Sequence, residues 1–202
     1  MRIERLSPEH LGDAERVLAG ACPFDRASAV AREKLFGGGP IGTAHAFGAW
    51  EGDELAGVAA ACARWVRVLA VAPSARRRGI GAALLSACED VARASGERRL
   101  RALDQPGNYL APGIDERNAD AIAWLAKRGW RRDGDARTNV LIAVRDNPRV
   151  PAARAAELAA RAAAAGYEVR RARPEESARC DAGEAGFGGA WPLELARALE
   201  HD

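Results

Sequence analysis

The stretch from Trp65 to Gly96 constrains this chain more than any other. Trp65 to Val71 is apolar and β-branched, as a buried strand requires. It runs through Ala72-Pro73 into a basic loop, Arg76-Arg77-Arg78-Gly79-Ile80-Gly81, and the loop opens a helix over Gly79 to Ser95. Ile80, Leu84, Leu85, Cys88 and Val91 recur at helical spacing, and Gly96 supplies the stop. The free N–H groups at such a helix start make a positive pocket for phosphate. Gly79 and Gly81 carry no side chain, so a ligand can reach the backbone. Three arginines add charge and forked donors at the same place. A pyrophosphate is the ligand that suits this pocket best. The G-x-G-x-x-G fingerprint of dinucleotide folds is absent, and the glycine-rich run from Gly37 to Thr43 lacks the lysine of a Walker loop.

Composition narrows the classes. The chain has 202 residues, 48% hydrophobic and 29% charged, enough for one domain plus a fragment and too apolar for wholesale disorder. Lys+Arg is 30 against Asp+Glu 28, a net charge of +2. That balance disfavours a nucleic-acid-binding module, which needs a concentrated positive field. Lys34 and Lys127 are the only lysines, a bias that reads as base composition rather than function. No apolar run reaches the roughly 18 residues of a membrane span, and Met1-Arg2-Ile3-Glu4-Arg5 does not read as a signal peptide. The expected location is the cytoplasm, with no membrane partner. Cys22, Cys62, Cys88 and Cys180 are scattered and, with three histidines, form no metal motif; buried free thiols are expected.

Arg2 to Leu6 reads as a strand, and Ser7-Pro8-Glu9 as a helix start with Ser7 at the N-cap. Cys22-Pro23 ends that helix, and Ala27 to Phe36 forms a second. Thr43 to Trp50 and Glu54 to Ala63 flank Glu51-Gly52-Asp53 as a hairpin with alternating inward residues. Arg99 to Asp104 is another strand. Asn118 to Arg128 is a helix capped by Asn118 and stopped by Gly129. Thr138 to Val144 is a last strand, paired with one around Trp130. Asn147-Pro148 and Pro151 mark a break, followed by an Ala-rich helix from Pro151 to Ala165. Val169 to Glu175 then repeats Ile3 to Glu9 at a constant offset, with Arg171, Pro174 and Glu175 identical.

Arg76-x-x-Gly79-x-Gly81 after an apolar strand resembles the acyl-CoA-binding motif of the GNAT (Gcn5-related N-acetyltransferase) superfamily. A second family motif follows: Asn118, Ala121, Trp124, Gly129 and Trp130 match N-x-x-A-x-x-[aromatic]-Tyr-x-x-x-G-[aromatic]. The resemblance covers residues 1 to about 147. It implies an α+β fold with a mixed, largely antiparallel, V-splayed sheet between helices in three layers. It also implies acetyl-CoA as co-substrate, with pantetheine pairing along Leu69, Ala70 and Val71. The pyrophosphate would rest on Arg77, Arg78, Gly79, Ile80, Gly81 and Ala82, with Arg76 beside it and Asn118 near the pantetheine arm. The implied reaction is direct attack of a primary amine, of a small molecule, on the thioester, with a backbone N–H near Val71 as oxyanion donor.

The sequence departs from the family where the motif's tyrosine, the presumed thiolate proton donor, is replaced by Leu125. Tyr109, in the loop Pro106 to Gly113, is the nearest substitute. Arg64 to Val71 holds no carboxylate, so Asp104, or Asp115 beyond it, is the candidate to take a proton. These departures keep a second reading open, a non-catalytic acyl-CoA-binding protein acting as sensor or pseudoenzyme. Residues 1–147 are expected to form the GNAT domain, 148–165 a helical linker, and 166–202 an incomplete second repeat without a phosphate loop. Phe187, Trp191 and Leu193 would seat that repeat on the first domain or at a homodimer interface. No metal is expected.

Overall fold

The computed structural model describes residues 1–38, 42–105, 113–135, 147–149, 151–170 and 173–176. The chain divides into two compact units, Met1–Asp135 and Ala136–Asp202. In the first, β1 (Arg2–Arg5) leads through a 3-10 turn (Pro8–His10) into α1 (Leu11–Ala21). A second 3-10 turn (Ala27–Val30) runs into the short α2 (Ala31–Phe36), so the stretch read as one helix changes pitch midway. Then come β2 (His45–Glu51), β3 (Glu54–Cys62), β4 (Trp65–Val71), α3 (Ile80–Ala94), β5 (Arg101–Ala102) and α4 (Ala119–Ala126). The strands lie in the order β1-β2-β3-β4-β5, antiparallel except for the parallel pair β4 and β5.

Helices cover both faces of this sheet. On one face Leu18 of α1 and Leu35 of α2 join Val58, Ala60, Val68 and Ala70 in one core. On the other, all five residues read as the inner stripe of α3 are buried, against Ala59, Ala61 and Val66. The expected in-and-out alternation of the β2–β3 hairpin is therefore absent: every residue of β3 after Glu54 is buried. A central strand with helices on both faces has no solvent side, and the small residues of Ala59-Ala60-Ala61 suit it. Gly96 and Gly129 take left-handed backbone after α3 and α4, as helix stops.

The expected strand from Arg99 to Asp104 shortens to two residues. Leu103 has φ +69, a conformation few bulky side chains adopt, and it turns the chain out of the strand. Pairing with β4 is limited to Trp65↔Arg101 and Val66↔Ala102, and the bond from Leu103 N–H to Val66 O at 2.9 Å is the last. Opposite this point β4 bulges: Ala61 faces Val66 and Ala60 faces Val68, leaving Arg67 as the extra residue.

In the second unit α5 (Ala152–Ala164) starts from Pro151 and buries no residue. Tyr167 to Arg170 form no strand, and Pro174–Glu176 is a 3-10 turn, as Pro8–His10 is. The expected strand at 138–144 and the residues Phe187, Trp191 and Leu193 lie outside the described residues. No helix among the described residues is long and apolar enough to cross a membrane.

The packing of α3 on the sheet depends on Gly57. A Cβ there would lie 3.0 Å from both Ile80 Cγ2 and Leu84 Cδ1, and 3.1 Å from Ala70 O. Gly57→Val should destabilise the fold by about 1–3 kcal/mol, the usual cost of overpacking. Urea unfolding checks this; an unchanged midpoint would contradict the close approach.

Candidate functional site

The site is built where β4 ends. Ala72 N–H donates to Ala56 O at 2.9 Å, and Val58↔Ala70 and Ala60↔Val68 are register partners. Antiparallel ladders alternate, so Val68, Ala70 and Ala72 turn their backbone groups toward β3, and Leu69 and Val71 turn theirs away. On that side β5 has already left. Among the described residues, the N–H and C=O of Leu69 and the N–H of Val71 have no strand partner. This is an edge inside a sheet, able to pair with an extended ligand.

The chain then turns through Pro73–Ala75 into the basic loop. Arg77 has φ +66 and Gly79 has φ +84, while Ile80 begins the helix. A left-handed residue followed by a right-handed one aims successive N–H groups at a common point, an anion-binding nest. The N–H groups of Gly79, Ile80, Gly81 and Ala82 donate to no protein acceptor among the described residues; the first helical bond is Ala83 N–H to Gly79 O. A side chain at Gly79 would face open space, so its glycine is explained by φ and not by crowding.

The three arginines have different surroundings. Arg76 Nε donates to Val71 O at 3.3 Å and Arg76 Nη2 to Ala21 O at 3.2 Å, so its guanidinium ties the end of α1 to the end of β4. Arg78 is held by Glu51 Oε2 and Ser74 O, each at 2.8 Å. Arg77 has no partner among the described residues and is exposed. Asn118 occupies the N-cap position of α4, but its side chain makes no capping bond, which corrects the expected cap. Trp124 of α4 lies over the loop, 3.5 Å from where a Gly81 Cβ would be. Tyr109 lies outside the described residues.

Beyond Leu103, Asp104 Oδ2 accepts from Arg101 Nε at 2.9 Å, while its Oδ1 is buried and has no partner among the described residues. Gln105 is 2% exposed, its Oε1 also unpaired among the described residues, and it lies near Cys62. Sequence reading missed Gln105, and with it a buried cationic layer. Arg67 is 1% exposed and donates to Gly37 O at 2.7 Å and Glu33 O at 3.1 Å, satisfying carbonyls at the end of α2. Lys34 is buried close by. An arginine in an apolar strand was the available signal. Cys62 and Cys88 are buried free thiols, and Cys22 is half-buried.

A family model described as the acetyltransferase (GNAT) family matches residues 22–130, more than half the chain. The chain belongs to the GNAT acetyltransferase family. Solved structures agree with this GNAT fold. The structure of AAC(6')-Iy in complex with a bisubstrate analog, CoA-S-monomethyl-acetylneamine, is 16% identical with a TM-score of 0.52, over 70% of this chain and 98% of that one. The aminoglycoside 6'-N-acetyltransferase AAC(6')-IG from Acinetobacter haemolyticus is 15% identical with a TM-score of 0.51, over 71% and 99%. A glucosamine N-acetyltransferase region of a fungal multi-domain β-N-acetylglucosaminidase is 17% identical with a TM-score of 0.57, over 66% of this chain and 17% of that one. Comparison with curated proteins gives no match.

The cationic layer of this GNAT protein has a pH signature. Burial, reinforced by Arg67 and opposed by Glu33, pushes the Lys34 ammonium down from 10.5 to about 8. Between those values the unfolded chain holds a proton that the folded chain has released, so this residue's contribution to stability rises with pH across that window. Burial raises the thiols of Cys22 and Cys88 to about 11 and about 12 and acts in the opposite sense, but equally in a variant that retains them. The melting temperature of the wild type minus that of Lys34→Met should therefore increase from about pH 8 to about pH 10. A constant difference would contradict the assignment. For Gln105, removing an unpaired buried acceptor should cost little: Gln105→Met should change stability by less than about 1 kcal/mol. A much larger loss in urea unfolding would make Gln105 a structural residue.

Proposed function

We propose that this protein is an acetyl-CoA-dependent N-acetyltransferase acting on a primary amine of a small molecule by direct attack. The observation that carries the reading is the pairing of four free N–H groups, Gly79 to Ala82, with the open edge of β4 at Leu69 and Val71. A carrier with a diphosphate at one end and amide groups along an extended arm matches both halves. The N–H groups hold the diphosphate, Arg77 adds an unpaired cation, and the edge takes the arm as a strand takes its neighbour. Ala70 contributes through the strand it builds, since its own backbone faces β3. Arg76 and Arg78 shape the loop from behind, and Asn118 offers the arm an amide that has no partner among the described residues.

The reaction forms a C–N bond to the acceptor and breaks the C–S bond of the thioester, with coenzyme A leaving as thiolate. A thiol ionises near pH 8.5, so departure without a proton donor is tolerable and Leu125 need not abolish it. The proton lost by the amine goes to Asp104, whose Oδ1 has no partner among the described residues, directly or through water. Tyr109 stays a candidate to protonate the thiolate. The presence of Leu125 also favours a second reading, a protein that binds acyl-CoA without turnover. AAC(6')-Iy, a structural neighbour, is described with a CoA bisubstrate analog, which supports the carrier's class.

Calorimetry with acetyl-CoA and thiol release with a panel of amines separate these readings. Acetyl-CoA should bind, and Arg77→Ala should weaken binding by about 3- to 10-fold at low salt, an effect that shrinks as salt rises. Asp104→Asn should leave acetyl-CoA affinity unchanged and lower thiol release by about 100-fold or more. Binding without thiol release from any amine supports the sensor reading, and no binding rejects both.

A further inference from the structure

Two exposed segments, one after α1 and one before α4, meet at Phe24 and Arg117. Phe24, in the segment after α1, is 41% exposed, yet the Arg117 guanidinium lies over its ring at 4.4 Å. Arg117 is itself aimed by Asp115: Nε donates to Oδ1 at 2.9 Å and Nη2 to Oδ2 at 2.7 Å, and the Arg117 N–H also donates to Oδ1. These bonds hold the Asp115 carboxyl down at about 2, so the pair stays ionised at any working pH. Asp25 interacts with both Asp115 and Arg117.

Both segments are rooted at the phosphate loop. Ala21, three residues before Phe24, is tied through the Arg76 guanidinium to Val71, the last residue of β4. Arg117 lies two residues before α4, whose Trp124 sits against Gly81, with Val71 Cγ2 alongside. The helix α1 belongs to the core on one face of the sheet, and Trp124 packs against the core on the other. The Phe24–Arg117 contact therefore links segments from the two faces, each anchored near Val71 at the end of the stretch of β4 that β5 leaves uncovered, and that stretch is an opening in the sheet.

We propose that Phe24 and Arg117 form a latch across this opening, which must part for the thioester carrier to enter and to leave. The inference rests on the acetyl-CoA reading above and adds to it a gate built from this chain's own side chains. A single exposed cation–π contact is weak enough to open in normal thermal motion and ordered enough to slow passage. Entry and exit use the same gate, so weakening it raises both rate constants and leaves affinity nearly unchanged.

The test is stopped-flow mixing of the full chain with acetyl-CoA, read by the change in total tryptophan fluorescence, with Trp124→Phe identifying the part of the signal that arises beside Gly81. Phe24→Ala and Arg117→Ala should each raise association and dissociation rates together by about 2- to 5-fold, the size an exposed cation–π pair supports. The double variant should add nothing to either single change, because both remove one contact. Unchanged rates overturn the latch, and so does a rise in the dissociation rate alone, which marks direct contact with the carrier. Additive effects overturn it as well. A wild-type chain that takes up no acetyl-CoA in calorimetry would instead defeat the underlying reading, and the latch with it.

Discussion

The interaction on which this molecule turns is one that β4 does not make. Its backbone pairs with β3 along its length, but its other side pairs with β5 only at Trp65 and Val66. A sheet normally closes such an edge or blunts it. Here the edge is kept open inside the fold by a leucine in left-handed backbone, Leu103, and by a bulge at Arg67 on the facing side. A strained residue is maintained only where its surroundings over-determine it. Arg67 supplies part of that: its buried guanidinium grips the carbonyls of Glu33 and Gly37 and fixes β4 to the end of α2.

The phosphate loop follows from the same strand. Because β4 is held on β3 and on both cores, its C-terminal end has a fixed direction, and the nest at Gly79 is aimed with it. What the loop presents to solvent is therefore mostly main-chain N–H groups, with Arg77 as its one unpaired arginine among the described residues. In this structure two of the loop's arginines also act as braces. Arg76 spans two carbonyls, and Arg78 is spent on Glu51 and Ser74. A basic loop next to a phosphate site can owe its arginines to loop geometry as much as to charge.

The parts of the site that were legible in sequence are those governed by short-range pattern. The β4 segment Trp65–Val71, the inner stripe of α3 and the glycine stops after α3 and α4 come from periodicity and backbone freedom, which a sequence displays directly. The two-residue length of β5 was not legible, since nothing marks Leu103 for positive φ. Nor was the direction of a side chain: Asn118 sits at a helix start without capping it, and nothing in the sequence marks Gln105 for burial. Contacts between distant segments, such as Arg67 with α2 or Phe24 with Arg117, depend on tertiary placement and leave no trace in local spacing.

The central claim is that main-chain N–H groups, rather than a cluster of charged side chains, grip the carrier. Amide nuclear magnetic resonance spectra of the full chain, recorded with and without acetyl-CoA, address it most directly. The account predicts that the amide signals of Gly79, Ile80, Gly81 and Ala82 move downfield together on addition, while those of Leu69 and Val71 gain protection from hydrogen exchange. Saturable binding that leaves these six amides unmoved, with changes confined to other parts of the surface, would contradict it.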